Sequence, residues 1–251
     1  MSYTIAEEYT LPSLGKVYKQ DVNPKVKLRS MTTEEEMRRL APSETAYKNI
    51  CEIIDDCMVE DIGISAYDMC LADYQYLLHK LREVTYGTEY SSISTCPYCL
   101  AENETVINLE SMDVIYYDED NFTKLTQFEL PKTGKQITIK MQTPRMVDNV
   151  NARAKELKKK SKNTAGDTAF LFTVESIIDT VDGIKLDPIK KEDFIRQLPM
   201  MDTNFIMKHA EKLVESFGLN TQLELSCPLC GLDYTSNFRI TSEFFGPSID
   251  I

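Results

Sequence analysis

Cys96-Pro97-Tyr98-Cys99 and Cys227-Pro228-Leu229-Cys230 are two CxxC pairs, each set between runs that read as β-strands. Ser91–Thr95 enters the first pair and Thr105–Leu109 leaves it; Thr221–Ser226 and Asp233–Ile240 flank the second. A strand–turn–strand unit with two thiols in the turn is a zinc knuckle. Four thiolates in two such units match a closed tetrahedral site with Zn–S of roughly 2.3 Å. In most such sites the pairs lie about 15–20 residues apart. Here the chain runs from position 99 to position 227 between them. A shared ion would therefore staple the end of the chain to its middle, and a closed all-sulfur site leaves no position for a catalytic water.

Working outward, the stretch before the first knuckle reads as an extended N-terminus followed by helices. Val26 and Leu28 alternate with charged residues, and Thr32 with Glu35, or Thr33 with Glu36, forms a capping box for a helix to Leu40. Ile50, Ile53, Ile54, Cys57 and Met58 put one apolar face on a helix over Glu44–Glu60. Ser65 with Asp68 opens another, whose face is Cys70, Tyr74, Leu77, Leu78 and Leu81 and which ends near Gly87.

After the first knuckle, Asp113–Asp120 reads as an acidic, aromatic loop. Leu125–Leu130 and Lys135–Met141 read as a hairpin across Pro131-Lys132-Thr133-Gly134. Thr143-Pro144 marks a helix start, and helices are expected over Pro144–Lys160, Ala165–Thr180, Lys190–Leu198 and Thr203–Phe217. The fold class is α+β. Residues 1–88 form an extended segment plus helical subdomain, 89–142 and 221–251 a discontinuous zinc-ribbon-like β module, and 143–220 a helical insertion.

The expected metal ligands are Cys96, Cys99, Cys227 and Cys230, with structural Zn²⁺. Gly231 suits the left-handed turn after the second pair; Leu100 occupies the same place after the first, and a distorted knuckle is expected there. A rival is thiol–disulfide chemistry, since Cys-Pro-Tyr-Cys resembles the active-site tetrapeptide of glutaredoxins. That needs an exposed first cysteine at a helix N-terminus, whereas Leu100–Ile107 reads as turn then strand. Reduced cysteines with no metal are the remaining alternative. Cys51, Cys57 and Cys70 are expected in the core.

The net charge of −12 disfavours nucleic acid and anionic membranes and fits protein partners. No apolar run is long enough to span a bilayer, and the first residues lack the pattern of a signal peptide; a cytosolic setting is expected. His79 and His209, the two histidines, are assigned to packing or surface roles. Nothing pairs carboxylates for acid–base work, and no small-molecule substrate is expected. The basic cluster of Arg153, Lys155, Lys158, Lys159, Lys160 and Lys162 reads as a solvated helix end before a mobile Ser161–Asp167 stretch, with contact to an acidic partner or nucleic acid as its alternative. Leu11, Leu14 and Tyr18 near one end, and Phe244 and Phe245 near the other, are the candidates for partner binding.

LPSLGKVY (residues 11–18), VKLRSMTTEEEMRRL (26–40), the central CPYC, IRQLPMMDTNFIMKHAEKL (195–213), CPLCG and a final FFGPS, in that order, resemble the baseplate hub assembly proteins of T-even-like contractile-tailed bacteriophages. The resemblance spans most of the chain. It implies a late viral protein made in the host bacterial cytoplasm, with a role in building or forming the central hub of the baseplate, and with the virion baseplate as a second location. It implies hub and tail proteins as partners, no catalytic residues at the matching positions, and structural metal binding at the four cysteines. Homo-oligomerisation stays open. A zinc-ribbon regulator that binds nucleic acid and a thiol–disulfide oxidoreductase are the functional alternatives.

Overall fold

The computed structural model describes residues 5–43, 45, 47–160, 168–238 and 242–245. The chain begins with an antiparallel hairpin of β1 (Ala6–Thr10) and β2 (Lys25–Arg29), in register Ala6↔Arg29 to Thr10↔Lys25. Val26 and Leu28 face inward from β2, as their alternation predicts. The intervening loop folds back on the hairpin, where the Leu11 N–H donates to Pro24 O at 2.7 Å. Gly15 turns it at φ 71°, and a Cβ there would lie 2.5 Å from Val22 O.

Helix α1 (Thr33–Leu40) carries the capping box on Thr32 and Glu35. Glu35 also pairs with Arg29, whose hydrogen bonds first of all hold its carboxyl down at about 2. Helix α2 (Lys48–Cys57) starts later than its apolar stripe predicts; Glu44 and Ala46 lie outside the described residues. Its N-terminus has no side-chain cap of its own. The Asp148 carboxylate, a hundred positions on in the chain, accepts from the Tyr47 and Lys48 N–H groups at 3.2 and 3.1 Å. Helix α3 (Leu71–Tyr86) begins after Cys70, not at Ser65, and is buried along most of its length. Ser65 instead bonds Asp55 at 2.6 Å and shapes the turn before the helix.

Strands β3 (Glu89–Thr95) and β4 (Glu102–Asn108) form the first cysteine hairpin. The region after it departs from expectation. β5 (Val114–Ile115) and α4 (Glu119–Thr126) replace the acidic loop and the first two residues of the strand expected at Leu125–Leu130, because Asp118 caps the helix by accepting from the Asn121 N–H at 2.7 Å. β6 (Gln127–Glu129) and β7 (Gln136–Ile139) form the hairpin across Pro131–Gly134.

Helix α5 (Pro144–Lys160) opens on Thr143, whose hydroxyl accepts from Met146 N at 3.3 Å. Helix α6 (Thr168–Ile177) stops short of its expected end, and residues 178–181 pair with β7 as strand β8 (Ile178–Val181), giving the sheet order β6-β7-β8. Helices α7 (Pro188–Gln197) and α8 (Met200–Glu215) complete this part, and its core joins Leu130, Ile137 and Ile139 to Val174, Ile177, Ile206 and Leu213. The hairpin across Pro131–Gly134, grouped by sequence with the cysteine module, thus packs against α6 and α8. The Asp202 carboxylate of α8 accepts from the Lys132 and Thr133 N–H groups at 2.8 and 3.0 Å.

Phe217 and β9 (Gly218–Leu219), paired with β5, lead the chain to β10 (Gln222–Ser226) and β11 (Asp233–Asn237), the second cysteine hairpin. Ile240, expected in this last strand, lies outside the described residues. Phe238, Phe244 and Phe245 then enter the core built by β2, α2 and α3. Buried Arg82 fixes this return by donating to the carbonyl oxygens of Gly87, Glu89 (2.9 Å) and Phe244 (3.3 Å).

Candidate metal centre

The two hairpins meet at their turns. The four sulfurs, of Cys96, Cys99, Cys227 and Cys230, lie within 4.8 Å of one another. Cys96 Sγ is 3.8 Å from Cys230 Sγ, and Cys99 Sγ is 3.6 Å from Cys227 Sγ. These separations exceed the ~2.05 Å of a disulfide. They match the edge of a tetrahedron whose vertices stand about 2.3 Å from its centre, about 3.8 Å, which is the sulfur spacing a bound Zn²⁺ imposes. The donor set and its spacing therefore fit a four-thiolate zinc site.

Each turn is closed in the same way. Cys96 N–H donates to Ala101 O at 2.9 Å and Leu100 N–H to Cys96 O at 2.9 Å. Cys227 N–H donates to Leu232 O at 3.0 Å and Gly231 N–H to Cys227 O at 2.8 Å. Leu100 adopts φ 62° where Gly231 has φ 71°. The expected distortion of the first knuckle is thus absent: Leu100 takes the left-handed conformation itself, a strain of roughly 1–2 kcal/mol for a non-glycine residue.

Backbone N–H groups point at the sulfurs. The Cys230 N–H first, then that of Leu229, draws the Cys227 thiol down to about 6. The Ala101 N–H acts the same way on Cys99, but desolvation and the neighbouring thiols outweigh it and push that thiol up to about 12. Without metal the cluster thus holds protons unevenly, and filling it releases them. The Asn103 amide lies 3.6 Å from Cys227 Sγ and donates to the Tyr234 hydroxyl at 3.1 Å, which lies 2.7 Å from Ser94 Oγ. These three residues orient the site from the strands, as outer partners of metal ligands do. Sequence reasoning did not find them; the one signal is a polar Asn103 at an inward strand position.

Cys96 is buried at the end of a strand, not exposed at a helix N-terminus, so the geometry a glutaredoxin-like nucleophile needs is missing at that residue. Cys51, Cys57 and Cys70 are buried away from the cluster, and burial raises all three thiols, Cys57 to about 12. His79 is fully buried, and neither ring nitrogen has a hydrogen-bond partner among the described residues. His209 stacks on Phe128 and Phe205 with ring centroids 4.0 and 4.6 Å apart. In the basic cluster, Arg153 pairs with Glu175 at 3.0 Å and covers Phe172, while Lys155, Lys158 and Lys159 are exposed. Ser161–Asp167, with Lys162, lies outside the described residues.

The residues expected as candidates for partner binding differ in exposure. Leu11, Phe244 and Phe245 are buried in the chain's own core because it supplies the apolar surface they cover. Leu14 and Tyr18 are half-buried, and the Tyr18 hydroxyl donates to Asp73 at 2.6 Å. Among the described residues no helix is long and apolar enough to cross a membrane.

The model of one protein family, described as T4 bacteriophage base plate protein, matches residues 2–246. No curated protein and no solved structure matches the chain.

Proposed function

This chain belongs to the family of T4 bacteriophage base plate proteins, and we propose that within the tail it is a non-enzymatic hub component or hub assembly factor held together by structural zinc. Its work is to bind other tail proteins in a defined geometry. The single observation that carries the reading is the family match over residues 2–246. The resemblance to hub assembly proteins narrows the family role to the hub.

The zinc part of the reading is supported by the convergence of four thiols from two distant hairpins at tetrahedral spacing. Cys96, Cys99, Cys227 and Cys230 would hold the ion, which supplies cross-linking and no chemistry of turnover. The chain's own groups do the rest: N–H donors steady the sulfurs, and Asn103 and Tyr234 fix the strands behind them. Made in the host cytoplasm, the protein would enter the baseplate with its partners.

The test is affinity purification of the tagged full chain from cells making the whole tail, with mass spectrometry and metal analysis of the product. Baseplate proteins in fixed ratio and about one zinc per chain are expected. Polymerase subunits or nucleic acid without tail proteins would overturn the reading in favour of a regulator.

A further inference from the structure

The cysteine hairpins carry apolar side chains that stand exposed among the described residues. Ile93 and Val106 stand on the outward face of β3 and β4, and Tyr98, Leu100, Leu229 and Leu232 stand on the two turns; their exposures run from 49 to 76 %. Single exposed apolar residues need no explanation, but their concentration on two short hairpins does. Leu100 is the clearest case. It is 76 % exposed, yet it sits in a left-handed conformation that its twin position fills with glycine. Its side chain adds strain and contributes little packing inside the chain.

Charge identifies what would cover this face. From Glu89 to Asp113 and from Gly218 to Phe238 the sequence has seven Asp and Glu and no Lys, Arg or His. Arg239, which follows, lies outside the described residues. Glu102 and Glu104 share the outward face with Ile93 and Val106, and Ile93 stands directly opposite Glu104. Glu224 and Asp233 are exposed on the other hairpin. Among the described residues none of these four carboxylates has an ion-pair partner. Four thiolates around a divalent ion would add further negative charge at the tip.

We infer that the outward face of the cysteine hairpins is a docking surface for another baseplate protein, one that presents Lys or Arg around an apolar patch. The inference rests on the baseplate reading above. A second copy of this chain would bring the same acidic module and a net charge of −12, so self-docking through this face sets like charge against like. Nucleic acid and anionic membrane are repelled for the same reason.

The experiment uses the full chain co-expressed with the other baseplate proteins of its phage. The purified assembly is treated with a zero-length carbodiimide, which joins a carboxylate to a lysine amine in contact with it. Links from Glu102, Glu104, Glu224 or Asp233 to lysines of one other baseplate protein are expected. That protein is then titrated against two variants. One carries Glu102→Gln, Glu104→Gln, Ile93→Ser and Val106→Ser, all at exposed positions; the other is Leu100→Gly alone, which keeps the turn. The first should bind on the order of tenfold or more weaker and with less salt dependence, the second measurably weaker, both with wild-type metal content. Links only to Lys155, Lys158 or Lys159 of a second copy would overturn the inference. So would capture of baseplate proteins with the four carboxylates unlinked and both variants at wild-type affinity, an outcome that leaves the baseplate reading standing. Capture of no baseplate protein would overturn both.

Discussion

Replacing Cys227 by serine tests the staple directly. The cross-cluster sulfur pairs join residues 128 and 134 positions apart. Closing a loop of that length removes unfolded-chain entropy worth about 4 kcal/mol from the loop-length relation, the same order as a disulfide across such a loop. For a chain of 251 residues, each kcal/mol moves a thermal midpoint by about 2–4 °C. The variant should therefore melt roughly 8–16 °C below wild type under reducing conditions, and a chelator should move wild type by a similar amount. Calorimetry gives the midpoint and elemental analysis gives the metal. A Cys227→Ser protein that loses its zinc yet melts within about 2 °C of wild type would refute the staple.

Three further perturbations test the frame around the site. Burial first, then Lys80 and Arg82, hold the His79 imidazole down at about 3, below its ordinary 6.5. The unfolded chain then binds the extra proton between those values, so the stabilisation present above pH 6.5 is lost as pH falls toward 3. Between pH 7.5 and 5 the loss should be about 2 kcal/mol in wild type and absent from His79→Leu by urea unfolding; equal slopes would refute it. Arg82→Met leaves the buried Phe244 carbonyl and the part-buried Gly87 and Glu89 carbonyls without their donor and should lower unfolding free energy by about 2–3 kcal/mol, with Arg82→Lys a poor rescue because it lacks the planar fork; a loss under about 1 kcal/mol in a urea titration would show the guanidinium is dispensable. Asp148→Ala uncaps α2 from outside and should lose about 1–2 kcal/mol in the same titration; protection of the α2 amides from hydrogen exchange at the wild-type level would show another cap.

What was legible in the sequence was chemistry between near neighbours. Thr32 and Glu35 stand three apart, Thr143 precedes Pro144, and each CxxC turn contains both its thiols, so cap and knuckle could be read without knowing the fold. What escaped depended on partners far along the chain. Ile178–Val181 continues the apolar pattern of α6, and only the free edge of β7 makes it a strand. Asn103 and Tyr234 become supports of the sulfurs because two hairpins, 131 positions apart at that contact, are set side by side. Leu11, Phe244 and Phe245 look like loose apolar ends until Arg82 and α3 supply their pocket. By sequence Leu100 is an ill-fitting residue where its twin position has Gly231. It keeps the turn and bears the strain instead.

The hairpins are fixed at two places, and the difference between those places bears on function. At the base, Tyr90, Phe238 and Phe244 pack edge to face or tilted with ring centroids 5.3 to 5.7 Å apart, inside the main core. At the tip, among the described residues, the sulfurs and the contacts of Asn103 and Ser94 with Cys227 and Tyr234 hold one hairpin to the other. Between the two ends lies an open groove of about 380 Å³, with Ser91, Ser94 and Ser236 on its walls beside Ile107, Leu223 and Leu225, so the hairpins are not close-packed against each other along that span. The apolar, acidic face proposed for a partner is carried on that weakly packed span and on the turns themselves. Metal removal should therefore free the tip first while the aromatic base holds, and amide exchange should rise in residues 91–106 and 222–236 before it rises in α3. If so, partner affinity falls more steeply with metal loss than stability of the core does, because a docking face must be held in one arrangement to avoid the ordering entropy on binding, whereas the core is closed without it. Uniform loosening of α3 and the hairpins on chelation would refute this division and make the metal a determinant of the whole fold.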